Sequence, residues 1–265
     1  MLSPEAQKIV NEYFNLPFAG VAGVRCPYFN NARLRQRAQL RVLVGKGTPK
    51  EIVEEAQIIS LQYHAGLFDK SGVCCLHGEH EHKVAPEEIR KFLIDHNLGI
   101  ECSGFVTQVL RAHFKETEKI DIAQKFQKVP ISKFFRFLIS KLRPIENISV
   151  KTYVDDRNTE IVNSLEKVQT GDVIVLLGIK TDNRRNHILL VTENLHEKIK
   201  YVHARTWVSE GKYGHGVADG VIEITKSEGS LLEQNWLEFG KSGNENETLR
   251  EARAAEKVEI RRVIV

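Results

Sequence analysis

A cysteine stands at the foot of a helix-forming stretch in Gly99-Ile-Glu-Cys-Ser-Gly-Phe105. Gly99 supplies a turn, and residues 102–113 read as an amphipathic helix with Phe105, Val109 and Leu110 inward. The Cys102 sulfur is thus expected among the unpaired N–H groups of a helix N-terminus, where the dipole favours an anion. A free thiol with a pKa of about 8.5 is only a few per cent thiolate at pH 7, and this setting plus a nearby imidazolium brings it well below neutrality. The small Ser103 and Gly104 leave the sulfur approachable, and the local N–H groups suit an oxyanion. A thiol nucleophile needs a base that also protonates the departing amine, usually histidine. Asn186-His187-Ile-Leu-Leu-Val191 sets His187 at the head of an apolar strand, and Tyr201-Val-His203-Ala-Arg205 sets a second histidine one strand further on. Paired across neighbouring strands, one ring faces the thiol while the other holds it. Taken singly, each histidine reads as a hydrogen-bonded structural residue and the cysteine as an even choice between core and nucleophile. The ordered set Cys102, His187, His203 reads as catalysis.

Four blocks carry a resemblance: Glu-Cys-Ser-Gly-Phe, Gly-Asp-Val-Ile at Gly171, Asn-His-Ile-Leu-Leu-Val, and Tyr-Val-His-Ala. In this order, over residues 99–224, they resemble the NlpC-type superfamily of bacterial cell-wall cysteine peptidases. The resemblance implies Cys102 as nucleophile, His187 as base and His203 as the orienting residue. It also implies an α+β, papain-like fold with the nucleophile helix packed on an antiparallel sheet. The substrates it implies are peptidoglycan stem peptides, commonly cut after a γ-linked D-glutamate, with no metal or other cofactor. Glu101 stands where the family usually has Asp. The family's Pro-Tyr-x-Trp-Gly-Gly block has no counterpart, but Cys26-Pro27-Tyr28-Phe29-Asn30 offers a comparable tyrosine. Tyr28, Ser103 and Trp207 are therefore expected at the substrate. The expected activity is hydrolysis of an amide by a cysteine peptidase or amidohydrolase. The competing expectation is an inactive module of the same fold that binds a peptide or wall fragment.

Helices come first along the chain. Ser3-Pro4-Glu5 opens one that runs to about Phe14. Thr48-Pro49-Lys50-Glu51 forms a capping box before an apolar face of Ile52, Ala56, Ile59, Leu61 and Tyr63. Pro86-Glu87-Glu88 starts a third helix that ends near Asn97 and Gly99, and residues 131–142 read as a Phe-rich helix. Past residue 167 the pattern becomes short apolar runs at 172–177, 188–191, 199–204, 217–225 and 257–265, separated by polar turns. Helices followed by a meander of strands predict an α+β domain with an antiparallel sheet. Residues 1–98 read as a helical region elaborating the same domain. Residues 99–265 read as the core, with a helical insertion at about 116–166. Residues 240–251 read as a loop or short exposed helix.

The 265 residues carry 38 Lys plus Arg against 35 Asp plus Glu, a net charge of +3 that implies no polyanionic partner. Arg33, Arg35, Arg37, Arg41 and Lys46 interleave with leucine and valine, which suits a packed segment with solvated arginines better than nucleic-acid binding. Four cysteines in a chain this long exclude a disulfide-stapled scaffold and suit a reducing compartment. Cys74, Cys75, His77, His80 and His82 have zinc-ligand types but not zinc-ligand spacing, and a solvated loop is the expectation. The apolar run at 14–24 follows Glu5 and Glu12 with only Lys8 basic, unlike a signal peptide. No run approaches the roughly 20 apolar residues of a membrane span, so a cytoplasmic protein is expected unless a leader is missing.

Overall fold

The computed structural model describes residues 1–29, 41–69, 72–74, 76–77, 82–83, 85–127, 144–180 and 185–265. The chain divides into two compact units: residues 8–104 with 204–217, and residues 1–7 with 105–203 and 218–265.

Helix α1 (Pro4–Phe14) opens as its sequence predicts, with the Ser3 hydroxyl accepting the Ala6 N–H at 3.4 Å. Helix α2 (Pro49–Gln62) is closed at its start by the reciprocal box: Glu51 N–H donates to Thr48 Oγ1 at 3.2 Å, and Thr48 N–H donates to Glu51 Oε2 at 2.8 Å. Its buried line is Ile52, Ala56 and Ser60 with Val53 beside it. Leu61 and Tyr63, expected inward, are 53% and 67% exposed. The helical period carries them off the line that the i, i+4 residues define. A two-residue pair, β1 (Leu76–His77) and β2 (His82–Lys83), is antiparallel. Helix α3 (Pro86–Asp95) buries Ile89, Phe92 and Leu93 and stops before Asn97, whose φ of 56° the left-handed region demands. Helix α4 (Cys102–Thr117) runs one turn further than the sequence suggests and fully buries Phe105, Val106, Val109 and Leu110.

The second unit is built on a seven-stranded antiparallel sheet. Its strands are β3 (Thr159–Ile161), β4 (Val173–Ile179), β5 (Arg185–Asn194), β6 (Lys198–Arg205), β7 (Gly216–Glu223), β8 (Asn235–Leu237) and β9 (Lys257–Val263). The order is β3-β9-β4-β5-β6-β7-β8. Strands β4 to β8 form the expected meander, while β9 returns to lie between β3 and β4. Residues 173–176 of β4 are buried without alternation, as a central strand covered on both faces requires. Register places Ile174 opposite Leu189 and Leu176 opposite His187. One face of the sheet gathers Ile174, Leu176, Leu189, Val191, Tyr201 and Trp236 into a single apolar cluster.

Two stretches hold more than the sequence reading gave them. Among the described residues, 116–166 hold the end of α4, the four-residue α5 (Ile122–Lys125), short 3₁₀ turns and strand β3, which pairs with β9. Residues 240–251, expected as a loop or short exposed helix, hold a largely exposed turn up to residue 245 and then open α7 (Glu247–Ala254), whose first turn is buried; α6 (Gly211–Gly214) is the short helix before β7. Helix α7 buries Glu247, Thr248, Leu249 and Ala252, so polar side chains occupy half of its inward face. The predicted helix at 131–142 lies outside the described residues. The fold is therefore mixed α+β around an open antiparallel sheet.

Candidate active site

In the unit holding Cys102, two backbone clamps fix the approach to α4. Phe29 N–H donates to the Ile100 carbonyl at 3.1 Å and Ile100 N–H to the Pro27 carbonyl at 3.0 Å, so Tyr28 runs parallel to Ile100. Glu101 N–H donates to the Gly45 carbonyl at 3.0 Å. Both clamps need glycine. A Cβ on Gly99 would stand 2.4 Å from the Pro27 oxygen, and one on Gly104 2.2 Å from the Gly45 oxygen. The Cys-Ser-Gly string thus reflects close backbone approach. Cys102 begins the helix and is 6% exposed. The first N–H groups of α4 precede any intrahelical acceptor, as at every helix start.

Ser103 is buried in a polar cluster. Its hydroxyl donates to Glu101 Oε1 at 2.6 Å and accepts from Lys46 Nζ at 2.7 Å, and Lys46 pairs with Glu101. Lys46, at the end of the basic run read as a packed segment with solvated arginines, is 3% exposed. A charge so enclosed requires its carboxylate partner. Arginines 33, 35 and 37 lie outside the described residues, while Arg41 pairs with Glu51. Trp207, expected at the substrate, is almost wholly buried with the Arg205 guanidinium 3.7 Å from its ring centroid. Cys26 is also buried, and burial pushes its thiol far up, against the weaker pull of the Arg90 charge. Cys26 is thereby an inert thiol.

In the unit holding the sheet, His187 and His203 meet. His187 Nε2 lies 2.7 Å from His203 Nδ1 with the rings edge to face. Both residues continue the apolar face by strand alternation, His187 two before Leu189 and His203 two after Tyr201. The sequence reading missed the group behind them. Glu238 Oε1 lies 3.2 Å from His203 Nε2, and its Oε2 accepts from Tyr201 OH at 2.9 Å and Thr248 Oγ1 at 2.8 Å. The Glu238 and His203 side chains have no solvent exposure. A signal existed: Trp236 is a large apolar residue on a short strand, so the residue two later, Glu238, falls on the same inward face. Lys46 had a weaker one, a lone lysine between Gly45 and Gly47.

The arrangement can therefore hold a buried imidazole pair against a carboxylate in one unit. In the other it presents a thiol at a helix start braced by two glycines. Among the described residues no group of three or more His, Cys, Asp or Glu side chains is arranged to hold a metal ion. Of the Cys74–His82 string, Cys75 and His80 lie outside the described residues. No helix among the described residues is long and apolar enough to cross a membrane. No family model, curated protein or solved structure matches the chain.

Proposed function

We propose that the chain is a cysteine peptidase or amidohydrolase of the NlpC type, with a papain-like core. Cys102 as thiolate attacks an amide carbonyl, and the first N–H groups of α4 receive the oxyanion. His187 gives its proton to the departing amine, and His203 holds the His187 ring. Water then cleaves the thioester with His187 as base, regenerating the thiol. The proton leaves through His187 Nδ1, because Nε2 is committed to His203. The observation that carries this reading is the buried His187–His203 pair, on strands that follow the Cys102 helix in the chain order of the family the sequence resembles. A 2.7 Å ring-to-ring bond is the arrangement that orients a base.

The substrate class is a peptide with an accessible amide, and peptidoglycan-derived stem peptides are the first to try. A reducing compartment such as the cytoplasm fits the thiols, since Cys26, Cys74 and Cys102 form no disulfide among the described residues. The test incubates soluble stem-peptide fragments with the protein and follows new amine termini by mass spectrometry. The wild type should release product, Cys102→Ala none, and His203→Ala product at a reduced rate. Equal turnover by Cys102→Ala removes the mechanism. Binding of the fragments without turnover by the wild type replaces it with a recognition module.

A further inference from the structure

Building on the cysteine-hydrolase reading, we propose that Glu238 is a positioning residue: as a carboxylate it fixes the tautomers of His203 and His187, leaving His187 Nδ1 as the proton acceptor. An ionised carboxylate only accepts hydrogen bonds. Its Oε2 takes the hydroxyl hydrogens of Tyr201 and Thr248, at 2.9 and 2.8 Å, which favours the anion despite burial. Its Oε1 lies 3.2 Å from His203 Nε2, so that nitrogen carries the hydrogen. A neutral imidazole has one N–H, and His203 Nδ1 is therefore an acceptor. Across 2.7 Å it receives the hydrogen of His187 Nε2, and the lone pair of His187 is on Nδ1. Were Glu238 protonated at Oε1, every step would reverse. His187 Nδ1 would carry a hydrogen and accept none.

The proton count closes. When the thiol ionises, its S–H bond breaks and an N–H bond forms at His187 Nδ1, making an imidazolium. Passing the Nε2 hydrogen on to His203 Nδ1 would bring that positive charge beside the Glu238 carboxylate. No other reactant is consumed.

The backbone holds Glu238 at a cost. It begins a two-residue turn in which Glu238 N–H donates to the Lys241 carbonyl at 3.1 Å and Lys241 N–H returns at 2.9 Å. Phe239 and Gly240, the central residues, have φ of 50° and 72°. A left-handed phenylalanine is strained, and such strain persists where the surroundings over-determine it. Asn246 ties α7 to β8, donating to the Trp236 carbonyl at 3.1 Å and capping the Leu249 N–H at 3.0 Å. Thr248, on the first turn of α7, is thereby brought to the carboxylate.

The test is side-chain ¹⁵N-histidine NMR of the full-length Cys102→Ala chain at about pH 8.5, where histidines are ordinarily neutral. The alanine removes the thiol hydrogen from the count. Both Nδ1 atoms should be pyridine-like and both Nε2 atoms pyrrole-like. In that background Glu238→Gln, whose amide oxygen replaces Oε1, keeps the pattern. Glu238→Met fills the volume without an acceptor, and His187 Nδ1 should move to an intermediate shift. With Cys102 restored, Glu238→Met should slow iodoacetamide alkylation of that thiol at pH 7 at least about tenfold. A pyrrole-like His187 Nδ1 in the Cys102→Ala chain overturns the proposal, as does an unchanged pattern in folded Glu238→Met. The NMR readout uses neither substrate nor thiol. It stands or falls apart from the nucleophilic role of Cys102, which turnover by Cys102→Ala would remove.

Discussion

Replacing Gly104 by alanine strikes the start of the nucleophile helix without touching an ionisable group. The new Cβ would stand 2.2 Å from the Gly45 oxygen, 3.0 Å from Ile100 Cδ1 and 3.1 Å from Lys46 Cδ. Ordinary contact begins near 3.4 Å, so helix and carbonyl must part by about 1.2 Å. The same carbonyl accepts the Glu101 N–H, and its retreat breaks that bond. Overpacking costs about 1–3 kcal/mol and the lost hydrogen bond about 1 kcal/mol. The higher helix propensity of alanine offsets at most about 1 kcal/mol, leaving a net loss of about 1–3 kcal/mol. Urea unfolding should report that loss, and iodoacetamide alkylation of Cys102 should slow in the folded variant. Gly211→Ala is the control: nothing lies within 4 Å of its Cβ, and only left-handed strain at φ 66° is added. It should leave the Cys102 alkylation rate unchanged. Gly104→Ala with stability within about 0.5 kcal/mol of wild type and an unaltered alkylation rate would refute the clamp.

Phe239→Asn should raise stability by about 0.5–1 kcal/mol in urea unfolding, because asparagine accepts the left-handed φ and the phenylalanine is half exposed; a loss would show that its ring holds the turn. Arg111→Met should flatten the acid limb of the stability–pH curve. Burial alone raises the Asp121 carboxyl, but the Arg111 fork at 2.7–2.9 Å and Lys115 outweigh it and hold the group below its usual range. A depressed folded-state value adds stability that is complete above about pH 4 and fades as pH falls through that value. An unchanged slope below about pH 4 in the variant would contradict the assignment.

What could be read from the sequence had local causes. Thr48 and Glu51 announce α2 because a capping box is made by four consecutive residues, and Ser3-Pro4-Glu5 announces α1 for the same reason. The strands at 173–179, 185–194 and 198–205 show as apolar runs because burial on the sheet leaves little choice of side chain. Strands β3 and β8, at three residues each, are too short to carry a period. The insertion of β9 between β3 and β4 is a choice among edges that no local pattern encodes. The burial of α7, read only as a loop or short exposed helix, was missed because Glu247 and Thr248 are buried as polar groups, against the apolar stripe by which buried helix faces are recognised. Of the candidate site, Cys102, His187 and His203 stood out by residue type and order. Glu238 and Lys46 had only positional signals, two residues after Trp236 and between two glycines, which do not single out one acid or base among 73 charged residues.

The most direct measurement is the pH dependence of iodoacetamide alkylation at Cys102, followed by peptide mapping in wild type and His187→Ala, with Cys26 as internal reference. A thiolate sustained by the imidazole gives a wild-type profile that is reactive well below pH 7, and His187→Ala moves its midpoint up toward about 8.5, the value of an unassisted thiol. Cys26 stays unmodified in both while the protein is folded. A wild-type midpoint already near 8.5, unmoved by His187→Ala, would mean that thiol and imidazole do not act together, and the hydrolase reading would fall.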